Sequence, residues 1–198
     1  MEPNMAGGIK WLRKAAELGD VRSMNGLGEY IIKGEVEGIK PEEAVNWIRK
    51  AATNGLAGAQ TNLGGIYIDG ELVDQNFAKA KQWLIMAARQ NYARAQSYLG
   101  QYYSEGRENG KPNFEEAIKW YRKAAEQGSP MAQYTLGGMY AKGHGVAQNF
   151  QEAVKWSRKA AEQNLPSAHY SLGVMYLTGQ GVEKDHKTAF DYIAASAE

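Results

Sequence analysis

The 198-residue chain contains no cysteine. A disulfide framework, a thiolate zinc site and a cysteine nucleophile are therefore excluded. Histidine is scarce. His144, His169 and His186 are the full set, and no two stand at the three- or four-residue spacing that puts a metal pair on one helix face. No phosphate loop, dinucleotide fingerprint or nucleophile elbow is present. Charge of one sign is lacking too. The 23 Lys plus Arg against 22 Asp plus Glu leave a net charge of +1, which argues against nucleic acid or an acidic membrane as the main partner. No apolar run approaches the roughly 20 residues that span a bilayer. The opening Met1-Glu2-Pro3-Asn4 lacks the basic-then-apolar pattern of a signal peptide. A cytoplasmic protein reads this way, and so does an exported one that carries a new Met after losing its leader. Paired carboxylates such as Glu42-Glu43 and Glu115-Glu116 fall in first turns of helices, where the helix dipole favours them, and read as structural.

What the chain does have is a beat. Trp11, Trp47, Trp83, Trp120 and Trp156 are separated by 36, 36, 37 and 36 residues, and Tyr192 falls where a sixth would be. These are all five tryptophans. Such a period marks a stack of like supersecondary units. The clearest copy runs from Ser129 to Asn164. Its first helix places Ala132, Leu136 and Tyr140 on one face, with Ser129 as N-cap and Pro130 in the first turn. Gly143 stops it. Asn149 and Glu152 open the second helix in a capping-box pattern, and Ala153, Trp156 and Ala160 form its buried face. The first-helix triad returns as Ala59-Leu63-Tyr67, Ala95-Leu99-Tyr103 and Ala168-Leu172-Tyr176. Second helices should stop at Gly19, Gly55, Asn91, Gly128 and Asn164, and first helices at Gly34, Gly70, Gly106, Gly143 and Gly179, since Gly and Asn tolerate the left-handed conformation.

A further glycine series sits inside the first helices: Gly28, Gly64, Gly100, Gly137 and Gly173. A mid-helix Gly costs about 1 kcal/mol relative to Ala, so the series needs a shared reason. The expectation is close approach of the paired helix, with the indole filling space nearby. The chain thus reads as all-α: a leading helix at 4–18 and five helix pairs at 20–55, 56–91, 92–128, 129–164 and 165–198, eleven helices without strands.

This grammar resembles the Sel-one-like repeat (SLR) family, relatives of the tetratricopeptide repeats. The carrying residues are Ala-Gln-Tyr-Thr-Leu-Gly-Gly-Met-Tyr at 132–140, Gly-His-Gly-Val at 143–146 and Ala-Ile-Lys-Trp-Tyr-Arg-Lys-Ala-Ala-Glu-Gln-Gly at 117–128. The resemblance implies one right-handed α/α superhelix over residues 1–198 whose first helices line a concave groove. It implies a bacterial adaptor or scaffold that binds another protein, without metal or cofactor. An immunity protein that neutralises a secreted toxic effector is the second reading. A hydrolase is a distant third, since it would need a closed pocket with convergent titratable groups.

By the same resemblance, groove residues are those off the Ala-Leu-Tyr stripe. They are Arg22, Asn25, Glu29 and Ile32 in the first pair, and Thr61, Asn62, Gly65 and Ile68 in the second. Arg94, Ser97, Tyr98, Gln101 and Glu105 follow in the third. The fourth supplies Met131, Tyr134, Thr135 and Lys142, and the fifth Ser167, Tyr170, Ser171 and Leu177. Tyr98, Tyr134 and Tyr170 recur near the groove centre, either as interface anchors or as packing between neighbouring first helices. Only Asn62 fits the clamp by which some tetratricopeptide proteins hold a terminal carboxylate, so that mode is doubtful here.

Four second helices place Arg-Lys just after Trp (Arg13-Lys14, Arg49-Lys50, Arg122-Lys123, Arg158-Lys159), which reads as a solvated face more than as a stripe for nucleic acid. The third pair has Ile85-Met86 there, preceded by Leu84. These three residues are a candidate lateral docking patch, or else they lie under a neighbour. The same pair carries a one-residue insertion and a polar loop at 104–112.

Overall fold

In the computed structural model, residues 5–36 and 38–197 are described. They form eleven α-helices and no strand. The helices are α1 (Met5–Glu17), α2 (Val21–Ile32), α3 (Pro41–Thr53), α4 (Ala57–Asp69), α5 (Phe77–Arg89), α6 (Ala93–Ser104), α7 (Phe114–Glu126), α8 (Pro130–Lys142), α9 (Phe150–Ala161), α10 (Pro166–Thr178) and α11 (His186–Ala195). The expected start of the leading helix at Asn4 and the chain end at Glu198 lie outside the described residues.

The boundaries follow the punctuation in the sequence. Ser129 caps α8 by accepting from the Ala132 amide, and Asn149 caps α9 by accepting from the Glu152 amide. Asn76 and Asn113 do the same for α5 and α7. Each cap satisfies one of the orphan amides of a first turn. Every expected stop of both series has positive φ, including the non-glycines Asn91 (59°) and Asn164 (58°). The chain reverses at these points because the left-handed residue lets the next amide reach back to a last-turn carbonyl.

The chain divides into two compact units, Met1–Ala95 and Gln96–Glu198. In the first, α2 lies on α3 and α4 on α5. Its core joins Leu27, Ile31 and Ala44 in one cluster and Val45, Ile48, Ala59, Leu63 and Ile66 in another. In the second unit, α8 lies on α9 and α10 on α11. Here Ala153, Val154 and Ala160 of α9 pack against Ala168, Leu172 and Met175 of α10. The Ala and Leu of every first-helix triad are fully buried.

The interior glycines do mark close helix approach, but the indole is not what fills the space. The residue after each Trp does. A Cβ on Gly28 would lie 2.5 Å from Ile48 Cγ1, one on Gly64 2.7 Å from Leu84 Cγ, and one on Gly100 2.8 Å from the Tyr121 ring. Gly137 faces Ser157 and Gly173 faces Ile193 in the same way. The indoles vary in burial: Trp156 is 7% exposed, whereas Trp11 is 69% exposed.

The Arg-Lys pairs act locally. Lys14, Lys50, Lys123 and Lys159 each hold the ammonium over their own indole, at 4.5–5.4 Å from the ring centre. Arg122 donates to the Tyr140 hydroxyl and Arg158 to the Tyr176 hydroxyl, tying second helices to the following first helices.

A glutamine clasp closes the seams. Buried Gln60 donates to the Ala52 carbonyl and accepts from Gln90, which also donates to the Gly55 carbonyl. Gln133, Gln163, Ala125 and Gly128 repeat this pattern bond for bond, and Gln127 donates to Gln96. His169 takes the glutamine slot in the last pair, where its buried Nδ1 has no hydrogen-bond partner.

Candidate functional site

The groove positions expected from the sequence do not all reach solvent. Thr61 is 1% exposed and donates to the Ala57 carbonyl within its own helix, and Gly65 and Ile68 are buried as well, so all three belong to the core and not to a groove. Ser97 is half-buried with its hydroxyl oxygen enclosed and unbonded. In the first unit, Asn25, Glu29 and Asn62 form one polar cluster. The Asn62 amide donates to Asn25 Oδ1 (3.0 Å) and Glu29 Oε1 (2.6 Å), and the Asn25 amide also donates to Glu29 Oε1 (2.8 Å). Arg22 and Arg94 are exposed.

The lateral patch is smaller than expected. Leu84 is buried against Gly64, because it occupies the glycine-facing position of its helix. Ile85 is half-buried and Met86 is exposed.

In the second unit, Gln101 and Glu105 are exposed and bonded to each other, and Tyr98 is half-buried. Met131, Tyr170 and Leu177 are exposed. Tyr134 is half-buried against the core cluster of α9 and α10, so it packs between neighbouring first helices while still bordering open space. On one side Tyr134 shares a shallow hollow with Tyr170 and Ser196. On the other side it borders a cavity of about 390 Å³.

That cavity has an aromatic wall. Phe114, at the start of α7, stacks on His144 with ring centres 4.4 Å apart and planes 17° from parallel. The Gly143-His144-Gly145 turn brings the imidazole there. Gly145 at φ 72° lies against the Phe114 carbonyl with no room for a side chain. Tyr121 and Met139 are buried within the wall, and Met175 closes the far end. Burial pushes the Tyr121 hydroxyl above its ordinary value near 10.0. Of the residues expected at a binding surface, Tyr134, Thr135, Lys142 and Ser171 line this cavity. Ser157, Gly138 and the Phe114–His144 stack also line it, and sequence reasoning did not assign them to a site.

No cluster of three potential metal-ligating side chains occurs among the described residues, and no helix among them is long and apolar enough to cross a membrane.

The arrangement has counterparts in solved structures. A protective antigen of uropathogenic Escherichia coli strains, displaying an SLR fold, matches 98% of this chain at 34% identity with a TM-score of 0.87. The chain spans 41% of that antigen's length. A Sel1 repeat protein from Oxalobacter formigenes matches 91% of the chain and 73% of its own at 31% identity, with a TM-score of 0.84. An immunity protein from Pseudomonas aeruginosa shares the fold at 20% identity and a TM-score of 0.62, over 96% of this chain and 72% of its own. No curated protein matches the sequence. The Sel1 repeat model matches residues 1–20, 21–56, 57–92, 93–129, 130–165 and 166–198 in succession, and with that unbroken run of matches the chain belongs to the Sel1 repeat family.

Proposed function

We propose that this chain is a non-catalytic bacterial binding module that holds another protein on its first-helix faces. The carrying observation is a contrast within the chain. The Leu of all five first helices and the Ala of the last four are buried, whereas the positions two residues after the Leu run from Glu29 to Gly65 to Gln101 to Gly138 to Val174. Packing explains the first set and leaves the second free to differ. In the second unit Tyr134 and Tyr170 share a hollow with Ser167 and Ser196, and both are aromatic rings with polar tips of the kind that anchor interfaces. The lysines of the four Arg-Lys pairs lie over their own indoles and Arg122 and Arg158 bond Tyr140 and Tyr176, which weakens any reading of them as a nucleic-acid stripe.

The test is affinity capture from the native cell with mass spectrometry, followed by direct titration of the captured protein. Alanine at Tyr98, Tyr134 and Tyr170 together should weaken that binding by about tenfold or more with helicity intact. Unchanged affinity would refute the assignment of these faces. An immunity role is the narrower second reading, motivated at the level of fold by the Pseudomonas likeness. It requires that the captured protein be toxic and that this chain restore growth. Several non-toxic partners would favour the adaptor.

A further inference from the structure

The five helix pairs solve one packing problem with four different residue types, and one solution leaves a hole. The interior glycine of each first helix faces Ile48, Leu84, Tyr121, Ser157 or Ile193. Four of these are large. Ser157 alone is small, and it lies on the wall of the 390 Å³ cavity. A second truncation lies beside it. Gly137 needs to be glycine, since a Cβ there would meet Ser157 Oγ at 2.9 Å and the Ala153 carbonyl at 3.1 Å. Gly138 does not, because a Cβ there would meet nothing within 4 Å. A helical Gly with open space before it sacrifices about 1 kcal/mol of propensity without any return in packing. Two missing side chains thus open the same space, and neither omission is required by the fold.

We propose that this cavity receives a tryptophan or tyrosine side chain from a partner polypeptide that carries a carboxylate beside it. The inference rests on the protein-binding reading and adds the chemistry of the bound segment. A ring fits the volume and would lie among Phe114, His144, Tyr121 and Tyr134. A polar ring edge fits the hydroxyls. Ser171 donates its proton to the Ser167 carbonyl at 3.0 Å, whereas the Ser104 hydroxyl is engaged by the Gln101 carbonyl and by Tyr121. The Ser171 oxygen keeps lone pairs for an indole N–H or a phenol O–H. The carboxylate follows from charge: Lys142 carries the one formal charge among the lining residues, and it stands exposed at the rim.

The experiment uses the full chain with ¹³C-methyl methionine. Met139 and Met175 report the cavity, and Met24, Met86 and Met131 serve as internal controls. The probes are indole-3-propionate, indole-3-propionamide and the blocked dipeptide acetyl-Asp-Trp-amide. The expected result is saturable shifts at Met139 and Met175 alone, with the dipeptide binding at least as tightly as the free acid. Lys142→Gln should weaken the propionate and leave the propionamide unchanged. Ser157→Ile restores the residue type that Ile48 and Ile193 place against glycine, so it should fold and lower affinity by about tenfold or more. Gly138→Leu blocks the same space from α8 and keeps the test valid should Ser157→Ile misfold. Equal shifts at all methionines, or wild-type affinity in both blocking variants, overturn the proposal. Binding of the free acid without binding of the dipeptide overturns the partner-segment assignment. If a captured partner binds both blocking variants as it binds the wild type but loses the triple-tyrosine variant, the cavity proposal fails and the protein-binding reading stands.

Discussion

Gly28 lies against Ile48 with no room for one methyl group. A Cβ on Gly28 would stand 2.5 Å from Ile48 Cγ1 and 3.1 Å from the Ala44 carbonyl oxygen. A side chain can rotate away, but a helix carbonyl cannot. Gly28→Ala should therefore lose about 1–2 kcal/mol, the overpacking cost less the gain in helix propensity. Gly138→Ala has open space and should gain about 0.5–1 kcal/mol. Urea unfolding of the two variants, with equal m-values, checks the opposite signs.

The tryptophans should divide by burial. Trp156, at 7% exposure, is a core residue, and Trp156→Ala should cost about 3–5 kcal/mol. Trp11, at 69% exposure, has little to lose, and Trp11→Ala should stay within about 1 kcal/mol. Chemical denaturation followed by circular dichroism would expose an error if the two costs came out alike.

The glutamine clasp predicts coupling. Gln60→Leu removes one of two bonds to the Ala52 carbonyl and one of two made by the Gln90 amide, which should cost about 0.5–1.5 kcal/mol. Gln90→Leu added to Gln60→Leu should cost less than the two single changes together, because the pair falls as one network. A double-mutant cycle with additive costs would contradict the clasp.

Stability should decline at alkaline pH partly through Tyr121. Burial raises its hydroxyl above the unfolded value near 10.0, so the folded chain keeps a proton that the unfolded chain releases. The stabilisation is complete below that unfolded value and is lost as pH rises through the folded one. Tyr121→Phe has no hydroxyl to ionise, and its melting temperature should fall less steeply than that of the wild type above pH ~10. Parallel melting curves across that range would remove Tyr121 from the account.

Helix ends and their order were legible in the sequence because they depend on local chemistry. Asn149 before Glu152, or Gly143 after Lys142, signals the same backbone geometry in any context. Side-chain partners across a helix pair were less legible. Whether Gly64 meets Trp83 or Leu84 turns on a rotation of about 100° per residue, which the period alone does not fix. Thr61 was placed in the groove for the same reason, since its neighbour Asn62 does bond across to Asn25 and Glu29. The cavity was harder still. It arises from what Ser157 and Gly138 fail to fill, and an absence has no motif. A signal existed in Ser157 itself, the one small residue in a column otherwise held by Ile, Leu and Tyr.

The seam bonds have a consequence for how such a gene can change. Gln90 reaches back 35 residues to Gly55, and Gln163 reaches back 35 residues to Gly128. Copying or excising one whole period between Gln60 and Gln163 leaves a glutamine facing an equivalent glutamine on either side of the splice. A cut of any other length separates both. Recombination can therefore lengthen or shorten the array without asking selection to rebuild a joint, and new surface specificities can be spliced in as finished parts.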